Sequence, residues 1–205
     1  MLSFRRPTDE QIRQYLAEQG RQPFSYTAIG CTRGEPQPRR GWNIDRNRVL
    51  LGRGRDLFEA AARAIDQWRM FPPAVATVCW PAQPREGAVV AVRYFAAPLR
   101  LWMLFPARIV YVLADTIERD ARRIERLGFA YGTLPDHPER GEERFAVEWN
   151  QADDSVWYDL LAVSQPAHWL ARVGYPYTRW EQVRFRRLSG TAMQTAVMPA
   201  TVSED

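Results

Sequence analysis

The sequence predicts an α+β domain: a curved antiparallel sheet packed on a long C-terminal helix, with a helical extension at the N-terminus. Three observations carry this. Strand-like apolar runs recur at residues 88–95, 108–113, 143–149 and 155–164. In the third run Phe145, Val147 and Trp149 alternate with Arg144, Ala146 and Glu148, the signature of a strand with one wet face. After Gly174-Tyr175-Pro176, residues 177–195 read as one long helix, weakened at Gly190.

Composition permits such a core. The chain has 205 residues, of which 46% are hydrophobic and eight are tryptophan, so it is globular rather than disordered. All 28 basic residues are arginine, interleaved with 24 acids for a net charge of +4. Neither a basic stripe nor a basic tail stands out, which argues against a nucleic-acid surface. Cys31 and Cys79 fit no metal or redox spacing and read as two reduced thiols. The first residues carry no apolar signal region, and the greasy stretch 88–114 is interrupted by Arg93, Arg100 and Arg108. A cytoplasmic protein without a transmembrane segment is expected.

Each element has a local reason. Thr8-x-x-Gln11 is a capping box, and Ile12, Tyr15 and Leu16 follow at helical spacing, giving a helix to about Gly20 within an extension over residues 1–23. Residues 21–48 are rich in Pro, Gly and Arg and read as an irregular arm with one short strand at 26–30. A strand at 49–51 turns at Gly52-Arg53-Gly54, and Asp56 is expected to cap a helix whose apolar face is Phe58, Ala61, Ala62, Ile65 and Trp68, ended by Pro72-Pro73. The glycines lack a third partner and a lysine, so a tight turn is preferred to a phosphate loop. Between the second and third runs, Ile117, Ala121 and Ile124 suggest a charged amphipathic helix over 115–128, stopped by Gly128. Trp169, Leu170 and Val173 read as a helical turn, and residues 198–205 as a flexible tail. A single domain over 24–197 is the economical division. By element order it is a helix-grip, START-like arrangement, in which the terminal helix covers the sheet and leaves space beneath it.

The densest information lies in residues 129–145, FAYGTLPDHPERGEERF. Gly132, Pro135, Pro138 and Gly141 fix the backbone path, so that Asp136, His137, Glu139, Glu142 and Glu143 are expected to stand close together. With Gly52 to Ala61, Trp68 with Phe71, Arg108 to Val112, and Ala162 to Ala167, this stretch resembles the DUF1990 (UPF0548) family of uncharacterised proteins from bacteria and plants. The resemblance covers roughly residues 24–190 and implies no activity. Two departures stand out. The family reaches its GTLP motif by a short loop, where this chain inserts residues 115–128, and it often has cysteine at the position of Ala107.

His137, Glu139 and Glu142 are the candidates for acid–base catalysis, because imidazole titrates near neutrality and paired carboxylates are moved apart in pKa by burial. The competing reading is that they hydrogen-bond backbone and arginines to hold the loop. A lone histidine on a turn is too weak a pattern for a metal site, and no cofactor is implied. Arg93 and Arg108 sit in apolar strands and need partners, either Glu142, Glu143 or Asp159, or a ligand's anionic group.

The leading expectation is therefore a protein that binds an apolar, lipid-like small molecule between sheet and C-terminal helix. Arg108, Tyr131 and His137 would supply polar contacts, and Trp149, Trp157 and Trp180 apolar walls. The alternatives are an enzyme using the same cavity and an interaction subunit of a larger assembly. The subunit's contact surfaces would be 99–105, 115–128 or the N-terminal arm.

Overall fold

The structure, a computed structural model, describes residues 1–38, 40–79, 83–96, 100–167 and 175–198. Its elements in chain order are β1 (Leu2–Ser3), α1 (Asp9–Gln19), β2 (Asn43–Arg53), α2 (Arg55–Asp66), β3 (Ala76–Cys79), β4 (Val89–Ala96), β5 (Leu101–Arg119), β6 (Arg122–Thr133), β7 (Glu139–Asn150), β8 (Ser155–Pro166) and α3 (Tyr175–Val197). The sheet runs β2-β8-β7-β6-β5-β4-β3, with β1 added beside β5, and every neighbouring pair is antiparallel. The expected α+β arrangement, an antiparallel sheet against a long C-terminal helix, is thus present.

The inner face holds the main core. Phe58, Ala61 and Ile65 of α2, with Trp68, pack against Phe129, Phe145, Val147, Val156, Tyr158 and Leu160 of the sheet, and Met193 of α3 joins them. These sheet residues lie on alternate positions of their strands, as the pleat demands. The outer face is covered by the N-terminal part of the chain. Ile12 and Tyr15 of α1 pack on Ala91 and Leu104, while Tyr26 and Thr32 of the arm seal the strands beyond. The capping box of α1 forms as expected: the Thr8 hydroxyl accepts from Gln11 N–H, and the Gln11 side chain accepts from Thr8 N–H.

Several local expectations are corrected. Residues 115–128 are not a helix but the tip of the β5–β6 hairpin. Ile117 stands opposite Ile124, Arg126 makes a two-pronged ion pair with Asp115, and Asp120 and Ala121 turn the chain with φ of 52° and 58°. The same apolar spacing serves a helix face or a cross-strand pair. The edge of β7, which pairs with β6 as far as Ile124↔Asn150, decides between them by satisfying the extended backbone. Gly128 is accordingly a strand residue rather than a helix stop.

Residues 26–30 form turns rather than a strand. The strand assigned to 49–51 begins at Asn43, because β8 pairs with its whole length. The start of α2 is Gly54 rather than Asp56, with no side-chain cap, and the helix ends at Asp66, ahead of the two prolines. The greasy run 99–105 opens as strand β5 from Leu101. The expected turn at Trp169, Leu170 and Val173, together with Trp80, His168 and the tail from 199, lies outside the described residues. Among the described residues, no helix is long and apolar enough to cross a membrane.

Candidate functional site

The motif at 129–145 is the β6–β7 hairpin and its connection. Register pairs Phe129 with Phe145, Tyr131 with Glu143, and Gly132 with Glu142. The two phenylalanine rings sit 5.6 Å apart in the core, which sets the parity of both strands. Positions 139, 141 and 143 therefore share the inner face with Phe145, and position 142 takes the outer one. Two glycines permit this. At Gly132 a Cβ would come within 2.2 Å of the Tyr26 hydroxyl, and at Gly141, with φ of 152°, within 2.0 Å of the Val163 carbonyl.

Between the inner face and α3 lies a cavity of about 340 Å³. Its apolar walls are Phe71, Val75, Val92, Tyr94, Phe105 and Phe185. Its polar groups are Tyr131, His137, Glu139, Glu143, Ser164, Glu181, Gln182 and Arg186. A mostly apolar chamber with a few placed polar groups is the usual form of a small-molecule site.

The Tyr131 hydroxyl donates to Glu143 Oε2 at 2.6 Å. Burial pushes the Glu143 carboxyl up to about 7, against the opposing effects of this hydrogen bond and of Arg186. Glu139 is likewise raised to about 7, by burial first and by the Glu143 charge second, although Gln182 Nε2 donates to its Oε1 and Ser164 also hydrogen-bonds it. Burial lowers His137 to about 4, so its imidazole is neutral. His137 Nδ1 lies 3.1 Å from both the N–H and the carbonyl oxygen of Glu139, so it can accept from the one or donate to the other. The ring's Nε2 makes no hydrogen bond with the described residues. The turn is closed by His137 N–H to the Leu134 carbonyl at 3.0 Å, and the Phe105 ring lies 5.3 Å from the imidazole.

Tyr131 and His137 therefore meet in the cavity with Glu139. Glu142 does not join them. Its carboxylate is on the outer face, where Tyr26 Oη and Gly30 N–H each donate to Oε2 at 2.8 Å, and Thr32 N–H donates to Oε1 at 3.0 Å. Asp136 is near the N-terminal ammonium, 3.8 Å away. Arg108 is also outside the cavity: its guanidinium donates to the carbonyls of Gly20 and Gln22 and stacks over Phe24, tying down the arm. Arg93 lies over Trp102.

The three tryptophans are not cavity walls. Trp149 packs against Phe58 and donates to Asp154, Trp157 lies under Arg48, and Trp180 is 57% exposed beside Arg184. Glu143, Gln182, Arg186 and the ring walls Phe71, Tyr94, Phe105 and Phe185 had no place in the sequence-derived site. For Glu143 a signal existed, since it shares parity with Phe145, Val147 and Trp149. Among the described residues no group of His, Cys, Asp and Glu converges as metal ligands, and Cys31 and Cys79 are both free.

Residues 25–192 match the family model described as "Domain of unknown function (DUF1990)". The chain belongs to this family. The DUF1990 protein is 32% identical over 200 residues to a UPF0548 protein of Dictyostelium discoideum, covering 90% of each chain. It is 31% identical over 205 residues to one of Arabidopsis thaliana, covering 94% of this chain and 95% of the relative. A UPF0548 protein of Deinococcus radiodurans is 32% identical over 203 residues, covering 91% and 94%.

Among solved structures, the DUF1990 domain is distantly similar to Ara h 8.0201, with a TM-score of 0.44 and 11% identity over 77% of this chain and 98% of the other. Human STARD10 gives 0.37 and 11% over 92% and 80%. These likenesses are distant and carry no functional assignment.

Proposed function

We propose that this DUF1990 protein binds an apolar or lipid-like small molecule in the cavity between its sheet and its C-terminal helix. One observation carries the reading. The space between β-sheet and α3 is not filled by side chains, and its aromatic and aliphatic walls surround a small set of buried polar groups. Burying apolar ligand surface there contributes about 25 cal/mol per Å² before the costs of association.

The test is native mass spectrometry of gently purified protein, followed by denaturing extraction. A bound apolar molecule is expected, and it should be lost in Ala162→Phe, which places a ring in the cavity beside Ser164. Bare mass for the wild type, together with no binding of added apolar probes, would sink the reading.

A second reading is favoured by Glu139 and Glu143, both raised to about 7. Carboxyls poised near neutrality beside a cavity are suited to proton transfer, so the bound molecule would be a substrate. The pair is then Glu139 and Glu143, with neutral His137 as hydrogen-bond partner, and Glu142 has no part in it. Conversion of the extracted molecule by fresh enzyme, absent in Glu143→Gln, would establish this reading over simple carriage.

A further inference from the structure

The cavity's charged groups narrow the kind of molecule it takes. We infer that the ligand carries a cationic amine at its polar end, seated against Glu139 and Glu143. This rests on the cavity reading above and deepens it.

The argument is one of unmatched acceptors. Three carboxylates with side chains at the cavity wall, Glu139, Glu143 and Glu181, face Arg186, and Arg179 acts on Glu139 from beyond the wall. Glu181 is paired with Arg184 at 3.2 Å, at the cavity's rim. Arg186 and Arg179 of α3 share a single carboxylate, Asp45 of β2, at 3.3 and 2.5 Å, so the two arginines keep one net positive charge against the two carboxylates of Glu139 and Glu143. Glu143 receives one side-chain donor, Tyr131, and Glu139 receives Gln182 and Ser164. Each ionised carboxylate can accept about four hydrogen bonds, so acceptor positions remain open on both.

The second observation is His137. Its Nδ1 is taken up by the Glu139 backbone, and its Nε2 makes no hydrogen bond with the described residues. It lines the same cavity two residues from Glu139, with Nε2 open to a ligand group.

A ligand anion would meet two carboxylates against one net positive charge. An ammonium brings three donors, no acceptor and the opposite charge, and it would hold both carboxyls ionised. A hydroxyl beside the amine, which can both donate and accept, would hydrogen-bond His137 Nε2 in either tautomer.

Binding should then depend on pH through groups on every packed element. Glu143 faces Tyr131 of β6, Tyr158 of β8, Arg186 of α3 and Asp45 of β2. Glu139 faces Glu143, Ser164 of β8, Gln182 and Arg179 of α3 and Asp45.

The probes are decylamine, 1-decanol and decanoate, titrated calorimetrically into the full chain at about pH 8, where both glutamates are ionised. The amine should bind at least about tenfold more tightly than the alcohol, with decanoate weakest. Glu143→Gln should remove that advantage by weakening the amine far more than the alcohol, and Glu139→Gln serves as the second variant should the first unfold. Lowering the pH to about 5 should weaken the amine about tenfold as the carboxyls take up protons. Decanoate binding as well as the amine, or an amine advantage that survives both variants, overturns the inference while leaving the cavity reading intact. No binding of any probe, with Ala162→Phe indistinguishable from wild type, overturns the cavity reading and the inference with it.

Discussion

Glu142 and Glu143 are neighbours in sequence and part ways in space. On the outer face Glu142 collects donors from Tyr26, Gly30 and Thr32, and next to it Arg144 bonds both the Thr32 carbonyl and Asp159. On the inner face Glu143 has Tyr131 alone, beside an apolar cavity. The outer charges are therefore matched and structural. The inner ones are undermatched, so their protonation is free to respond to what enters the cavity. Counting donors around a buried carboxylate separates the two roles better than burial does.

The outer network is where a single change should cost most. Arg144→Ala removes the partner of Asp159 that is itself 1% exposed, leaving Arg46 alone on that carboxylate. A loss of about 3–5 kcal/mol is expected in urea denaturation. A loss under about 1 kcal/mol would show that the arm, rather than the ion network, holds the outer face.

The inner face should respond to pH in the opposite sense to a normally paired carboxylate. Glu143 is raised from 4.5 to about 7 in the folded protein. The unfolded chain ionises first, so this group's contribution is complete below pH 4.5 and is lost as pH rises towards 7. Glu143→Gln should therefore gain on wild type across that window, by on the order of 3 kcal/mol. His137, lowered from 6.5 to about 4, works the other way, destabilising the fold as pH falls through that range. The difference between variant and wild type isolates the glutamate. Glu142→Gln, measured in parallel, should lose stability at neutral pH where Glu143→Gln gains it. Equal responses of the two variants would erase the distinction between the faces.

Gly132→Ala probes the boundary between them. Its Cβ would meet the Tyr26 hydroxyl at 2.2 Å and push the arm off Glu142. A loss of about 1–3 kcal/mol is expected, with the cavity's ligand affinity unchanged. The smallest effect belongs to Ala121→Gly, which relieves a φ of 58° and should stabilise the hairpin by up to about 1 kcal/mol. Were residues 115–128 helical in solution, the same change would destabilise by a similar amount.

Legibility followed the range of the interaction. The capping box at Thr8, the alternation at 143–149 and the long C-terminal helix were readable because each is written within a few residues. The hairpin at 115–128 was misread because Ile117 and Ile124 suit a helix as well as a cross-strand pair, and the choice belongs to β7. Within the site, Tyr131, His137 and Glu139 were legible from the turn-rich motif. Arg108, Glu142, Trp149, Trp157 and Trp180 were chosen by residue type, which says nothing about which face they take.

By itself, then, the sequence determined the periods, the turns and the family membership carried by residues 129–145. These depend on backbone geometry and side-chain alternation, which are local. Only the tertiary structure decided that the arm covers Glu142, that α3 stands off the sheet over Glu139 and Glu143, and that a cavity remains between. Those outcomes rest on contacts between residues more than a hundred positions apart, such as Tyr26 with Glu142, and on the volume that α3 leaves unfilled. No local pattern encodes a volume, because packing density is a property of the assembled core.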